Sequence, residues 1–144
     1  AMAEALDCLV KWPNDLVTPE GNKLGGILAE LASEAESIRY VILGVGINVN
    51  QREFHDLPQA TSLAIEREET ADRAALLARL VGAVESVKID GVPDLSQWRM
   101  RSHTLGKTVR VNGIEGVASE VRDDGSLVVG GEVIMAGDVE MVGE

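Results

Sequence analysis

The chain has 144 residues, enough for one domain or one and a half at roughly 100–200 residues each, and its 45% hydrophobic and 26% charged residues make an ordinary globular mixture. No apolar run approaches the ~20 residues that span a bilayer, the opening residues lack the basic-then-apolar pattern of a signal peptide, and the single cysteine, Cys8, cannot form an internal disulfide, so the chain reads as cytoplasmic with no membrane partner. Thirteen Lys and Arg against 24 Asp and Glu give a net charge of −11, which excludes a broad cationic surface for nucleic acid; a phosphate must be met by a few placed cations and backbone N–H groups.

Ala1 to Leu6 consists of helix formers without a cap and reads as the end of a helix entered midway. Leu9-Val10-Lys11-Trp12 reads as a short strand stopped at Pro13 and resumed at Leu16-Val17. Thr18 to Asn22 carries turn chemistry at every position, so Leu24 to Leu31 is expected to return as a hairpin arm. After a polar bend from Ser33 to Ser37, the near-continuous apolar run Val41 to Ile47 predicts a central strand buried on both faces. Gln51 to Glu69 reads as a loop with short local structure. Thr70 then starts an amphipathic helix expected to pack on the sheet through Leu76, Leu77, Leu80, Val81, Val84 and Val87. A Gly91-Val92-Pro93 break precedes a short helical stretch from Asp94 to Arg101, with Trp98 at a junction. From Leu105 the style changes: Val109–Val111, Ile114–Val121, Leu127–Val129, Glu132–Ile134 and Val139–Val142 predict closely spaced strands separated by glycine turns, a small β-barrel beyond a boundary near Ser102–Leu105.

Three clusters stand out for chemistry. Lys11-Trp12-Pro13-Asn14-Asp15 places a lysine, an indole and two short polar side chains in a proline-stiffened turn, which is equally the composition of a capped bend. Lys23-Leu24-Gly25-Gly26 sets a cation beside two residues without a Cβ at a strand start, where either a ligand approaches closely or a β-bulge sits. Gly44-Val45-Gly46-Ile47-Asn48-Val49-Asn50 bares one face of a strand and ends it with asparagines. It lacks the third glycine and following helix of a dinucleotide fingerprint, whereas an Asn carboxamide there can pair with the N6/N7 edge of adenine or simply close a turn.

In this order and spacing the clusters resemble the biotin protein ligase (biotin–[acetyl-CoA-carboxylase] ligase) family. Its pattern runs through Lys11 to Asp15, Lys23 to Glu30, Gly44 to Asn50 and Ala60-Thr61-Ser62-Leu63, and the family's small C-terminal barrel has turns like Asp124-Gly125. The resemblance implies an α+β fold. Residues 1–102 would be the C-terminal portion of a catalytic domain, a partial mixed sheet with helices like that of class II aminoacyl-tRNA synthetases and biotin ligases, and residues 103–144 an SH3-like β-barrel. It also implies a two-step reaction on biotin and ATP, with Mg2+ accompanying ATP: biotinyl-5′-AMP forms, and the biotinyl group then passes to a lysine of a biotin carboxyl carrier protein. By that resemblance Lys23 is catalytic and binds biotin together with Gly25 and Gly26. Asn14, Asp15, Asn48, Ala60, Thr61 and Ser62 attend the nucleotide, and Lys11 and Trp12 are supportive.

The sequence departs from the family in lacking its Ser/Thr-rich biotin segment and any Gly-Arg-Gly loop. The expectation is therefore an N-terminally truncated ligase fragment, inactive alone, whose partner is a missing N-terminal half or a second copy, without nucleic acid. The alternative is a non-catalytic module that engages a protein partner through its barrel, or a subunit complemented by a separate N-terminal half. His55 and His103 lack ligand spacing, so no metal site of the protein's own is expected, and Cys8 reads as a buried small hydrophobe.

Overall fold

Turn chemistry reverses the first part of the chain at Pro13 and again at Thr18–Asn22. The computed structural model describes residues 1–34, 37–87 and 94–143. A short helix α1 (Met2–Leu6) leads into strands β1 (Leu9–Lys11), β2 (Asp15–Val17), β3 (Lys23–Glu34) and β4 (Ser37–Ile47), which form one antiparallel sheet in the order β1-β2-β3-β4. The bend at Pro13 turns the chain back, so Leu16-Val17 pairs against β1 instead of resuming it. Thr18 to Asn22 makes the next reversal, closed by the Thr18 N–H on the Asn22 carbonyl at 2.9 Å. The expected Ser33–Ser37 bend falls partly on residues 35–36, outside the described residues.

β4 departs from expectation. It is the edge of its sheet, not a central strand, and Tyr40, Val41 and Ile42 are each more than half exposed. An apolar run has the same composition whether its cover lies in the same chain segment or elsewhere; here β3 pairs with one side of β4, and among the described residues only Ile47 of β4 packs against the first core. The mixed sheet expected from the resemblance is likewise antiparallel in every described strand pair, with parallel contacts confined to isolated bridges Val10–Ser102 and Lys23–Ala60.

Beyond β4, α2 (Leu63–Glu66) is capped by the Ser62 hydroxyl, and α3 (Arg73–Glu85) starts at Asp72 instead of Thr70 because the Asp72 carboxylate accepts the N–H groups of Ala74 and Ala75. Leu76 and Leu80 of α3 join Met2, Leu6, Cys8, Leu16, Leu24 and Leu63 in a first core. A five-residue helix such as α1 has no stability of its own. The burial of Met2 and Leu6, about 1.5–3 kcal/mol for each fully buried side chain, holds it in place. Leu77 and Val81 on the same helix stay exposed, so α3 covers less of the sheet than its apolar face would allow. The Gly91-Val92-Pro93 break lies outside the described residues, and α4 (Ser96–Met100) follows it.

The C-terminal part contains β5 (Thr108–Val111), β6 (Ile114–Val121), β7 (Leu127–Val129), β8 (Glu132–Ile134) and β9 (Glu140–Met141), a five-stranded antiparallel sheet in the order β8-β7-β6-β5-β9. Its strands and turns fall where the sequence places them. The expected barrel is an open sheet, since the described residues pair β8 only with β7 and β9 only with β5. Val109, Val111, Val121, Leu127, Val129, Ile134 and Val139 build a second core, and Trp12 from the β1–β2 turn is part of it. Residues 101–104 run against β1: Val10 donates to the Arg101 carbonyl at 2.9 Å and accepts from the His103 N–H at 2.8 Å. Among the described residues no helix is long and apolar enough to cross a membrane.

Candidate active site

The register of the first sheet sets Asp15 opposite Gly26 and Gly26 opposite Gly46, so these residues share one face of β2, β3 and β4. A Cβ at Gly26 would stand 3.4 Å from Asp15 Oδ1 and 4.0 Å from Lys23 Cε, an ordinary contact distance, and one at Gly46 would meet nothing within 4 Å. The bare strip in front of Asp15 and Lys23 is thus open space that the packing of this chain does not demand. Gly25 is the opposite case, because a Cβ there would collide with the Gly46 carbonyl and press on Ile47, so the close approach of β3 and β4 requires glycine.

Lys23 Nζ lies 2.6 Å from Asp15 Oδ1, with the lysine side chain 51% and the carboxylate 21% exposed. The lysine backbone is pinned from below: its N–H donates to the Gln59 carbonyl at 2.6 Å, and its own carbonyl accepts the Thr61 N–H at 2.9 Å. This ladder is the Lys23–Ala60 bridge. Asn48, at the exit of β4, donates its N–H to the Leu24 carbonyl at 2.8 Å and its Nδ2 to the Thr61 carbonyl at 3.0 Å, with the Lys23 carbonyl 3.5 Å away. The fold therefore gathers Lys23, Asp15, Gly26, Asn48, Ala60 and Thr61 around the start of β3. Asn14 is exposed beside them, its carbonyl accepting the Ile27 N–H at 2.9 Å.

Other expected site residues point elsewhere. Ser62 is fully buried; its hydroxyl donates to the Gln51 carbonyl at 2.5 Å and caps α2. The Thr61 hydroxyl donates to Glu66 Oε1 at 2.5 Å, which leaves the Thr61 backbone to face the site. Lys11 borders a separate polar cleft of about 380 Å³ shared with Glu20, Asn22, Gln59, His103 and Glu140. Trp12 is buried in the second core, and its indole N–H donates to the Gly125 carbonyl at 2.9 Å. Gln59 and Glu66 support the site and carry no sequence signal: one sits in an irregular loop, the other in a charged run that reads as solvated surface.

An apolar groove of about 710 Å³ lies away from Lys23, between β4 and α3, lined by Leu43, Val45, Ile47, Leu77, Leu80 and Val81. Among the described residues no group of three His, Cys, Asp or Glu side chains could hold a metal ion; His55 pairs with Glu53 at 3.2 Å, and His103 Nε2 is 3.2 Å from Lys107 Nζ. Cys8 is buried in the first core, and desolvation pushes its thiol above the ordinary value.

The sequence model of the Biotin/lipoate A/B protein ligase family matches residues 3–48. The chain is 39% identical to the biotin–[acetyl-CoA-carboxylase] ligase of Mycobacterium tuberculosis, over 90% of this chain and 52% of that protein. It is 31% identical to the bifunctional ligase/repressor BirA of Bacillus subtilis, over 92% of this chain and 46% of that one. The chain thus spans about half the length of the curated relatives it matches. Among solved structures, the biotin protein ligase of Aquifex aeolicus in complex with biotin and ATP superposes with a TM-score of 0.76 at 26% identity, covering 96% of this chain and 66% of that one. Another structure of the Aquifex enzyme gives 0.79 at the same identity, covering 97% and 70%.

Proposed function

Since this chain is a member of the biotin protein ligase family, we propose that it carries the lysine and adenine side of a cytoplasmic ligase site. The observation that carries the proposal is the convergence of the Lys23–Asp15 pair, the open Gly26 strip and the Asn48 carboxamide on the start of β3. In the first step a biotin carboxylate oxygen attacks the α-phosphorus of ATP, the bond to pyrophosphate breaks, and biotinyl-5′-AMP forms. In the second, a lysine amine of a biotin carboxyl carrier protein attacks the biotinyl carbonyl, the bond to AMP breaks, and the amine proton goes to solvent.

Both steps place negative charge between the biotin carboxylate and the α-phosphate. Lys23 is assigned to that position: its ammonium is half exposed, and its backbone is fixed on both sides by Gln59 and Thr61, so little reorganisation is needed when charge develops. Gly26 lets the biotin carboxylate approach the β3 backbone, while Gly25 acts through the β3–β4 contact. Asn48, with the Ala60–Thr61 backbone, reads the adenine edge. Asn14 and Asp15 offer the hard oxygen donors that suit Mg2+ arriving with ATP, one Asp15 oxygen being engaged by Lys23.

The remaining ligase elements, the biotin-pocket segment and the arginine loop, are assigned to further polypeptide. The uncovered β4 and the groove against α3 are where it would pack, as a complementary N-terminal half or, less directly, a second copy. Residues 103–144 are proposed as a separate C-terminal domain.

Biotin-dependent ATP–pyrophosphate exchange tests the reading. Residues 1–144 mixed with the complementary half of a biotin ligase are expected to support exchange that either part alone lacks. Absence of exchange from a stable mixture, or exchange that survives Lys23→Ala, overturns it.

A further inference from the structure

Trp12 belongs by sequence to the strand–turn segment that delivers Asp15, yet its side chain is 3% exposed within the core of the other sheet. Two hydrogen bonds fix it there: its backbone N–H donates to Thr104 Oγ1 at 2.9 Å, and its indole N–H donates to the Gly125 carbonyl at 2.9 Å. The acceptor in the second bond is itself held. The turn before β7 is closed by the Gly125 N–H on the Arg122 carbonyl and the Arg122 N–H on the Ser126 carbonyl, both 2.9 Å. Ser126 then donates through N and Oγ to Asp124 Oδ1 at 2.9 and 2.6 Å. Two residues beyond Trp12, the Asn14 carbonyl accepts the Ile27 N–H of β3, and the next residue, Asp15, meets Lys23. The β1–β2 turn is thus clamped between the second core on one side and β3 on the other.

We propose that Trp12 is a positioning residue through which the C-terminal sheet, by way of Thr104 and Gly125, holds Asp15 against Lys23. Its bearing on catalysis rests on the ligase reading, but the coupling itself needs neither biotin nor ATP. Packed side chains and hydrogen bonds carry such coupling only where the linked element has a fixed alternative to lose, and here that is the placement of the Asp15 carboxylate.

The test is made on the 144-residue chain without ligand, reading the Lys23 Cε–Hε resonance by NMR across a pH series. Asp15→Asn defines the position of that resonance when the pair is lost. Thr104→Val, which removes the acceptor for the Trp12 N–H at nearly constant volume, and Trp12→Phe, which keeps an aromatic ring but no N–H donor, are expected to shift the resonance in the direction of Asp15→Asn. Thr104→Ser, which restores the hydroxyl, is expected to leave it at the wild-type position. If Trp12→Phe fails to fold, Thr104→Val decides. A folded Thr104→Val chain with the Lys23 resonance unmoved overturns the proposal, as does an Asp15→Asn chain in which it does not move. Absence of ligase activity leaves these outcomes unchanged, so the two readings fail separately.

Discussion

Asp15 Oδ1 and Lys23 Nζ stand 2.6 Å apart although half of the lysine side chain is open to solvent. A solvent-screened pair of this kind contributes only about 0–1 kcal/mol to stability. Its consequence is orientation: the carboxylate on β2 fixes the ammonium over the bare strip at Gly26, where a carboxylate or phosphate oxygen has room to lie.

Lys23→Ala is therefore expected to lower exchange in the complemented ligase by about two to three orders of magnitude while leaving the melting temperature nearly unchanged. Arg110→Ala, on the exposed pair between Arg110 of β5 and Glu115 of β6, should stay within about twofold of wild type. Equal effects from the two substitutions would remove Lys23 from its role.

Gly25 and Gly26 are neighbours with opposite expected phenotypes. Gly25→Ala forces a methyl into the Gly46 carbonyl and should destabilise the chain by about 1–3 kcal/mol, read as a drop in melting temperature. Gly26→Ala meets only ordinary contacts within the chain, so it should keep the wild-type melting temperature yet weaken biotin binding to the complemented ligase by about tenfold or more, measured by calorimetry.

The Ser126 hydroxyl, and after it the Ser126 N–H, hold the Asp124 carboxyl below the ordinary aspartate value. A depressed folded-state value means that the contribution is complete above the unfolded value and is lost as pH falls through the folded one. Melting curves from about pH 5 to about pH 2 should show wild type losing more stability than Asp124→Asn or Ser126→Ala. Parallel curves for all three would contradict this.

Burial raises the Cys8 thiol, so little thiolate forms near neutral pH. Reaction with an aromatic disulfide reagent should be slow in the native chain and immediate in guanidinium. Cys8→Ser should destabilise by about 1–3 kcal/mol, because a hydroxyl would be desolvated among Met2, Leu6 and Leu16.

Features legible in the sequence are those set by local chemistry. Thr18–Asn22, Asn112–Gly113 and Asp124–Gly125 are turns because their residues favour reversal, and the strands between them follow. The placing of Gly26, Gly46 and Asn48 on one face follows from the two-residue strand period together with the antiparallel order β2-β3-β4, whereas Lys23, three residues from Gly26, joins them through the register shift between Leu16 and Val17. What was not legible depends on which surfaces meet. Val41 to Ile47 is as apolar as a central strand, but composition cannot say where the second layer comes from. Trp12 reads as part of its own strand, while its partners Thr104 and Gly125 are remote in the sequence. The start of α3 shifted because Asp72 offers the capping carboxylate that Thr70 does not.

The two anchors of Trp12 close loops of 92 and 113 residues, whereas the hairpins β1–β2, β2–β3 and β3–β4 join near neighbours. During synthesis the hairpins can form as soon as their strands leave the ribosome, but Trp12 has no acceptor for its indole until Gly125 has been made. Contacts of such high sequence separation form late in folding, because the intervening chain must be ordered before they contribute. The β1–β2 turn is consequently made well before the acceptors that anchor it, and within residues 1–144 it is among the last parts to be fixed.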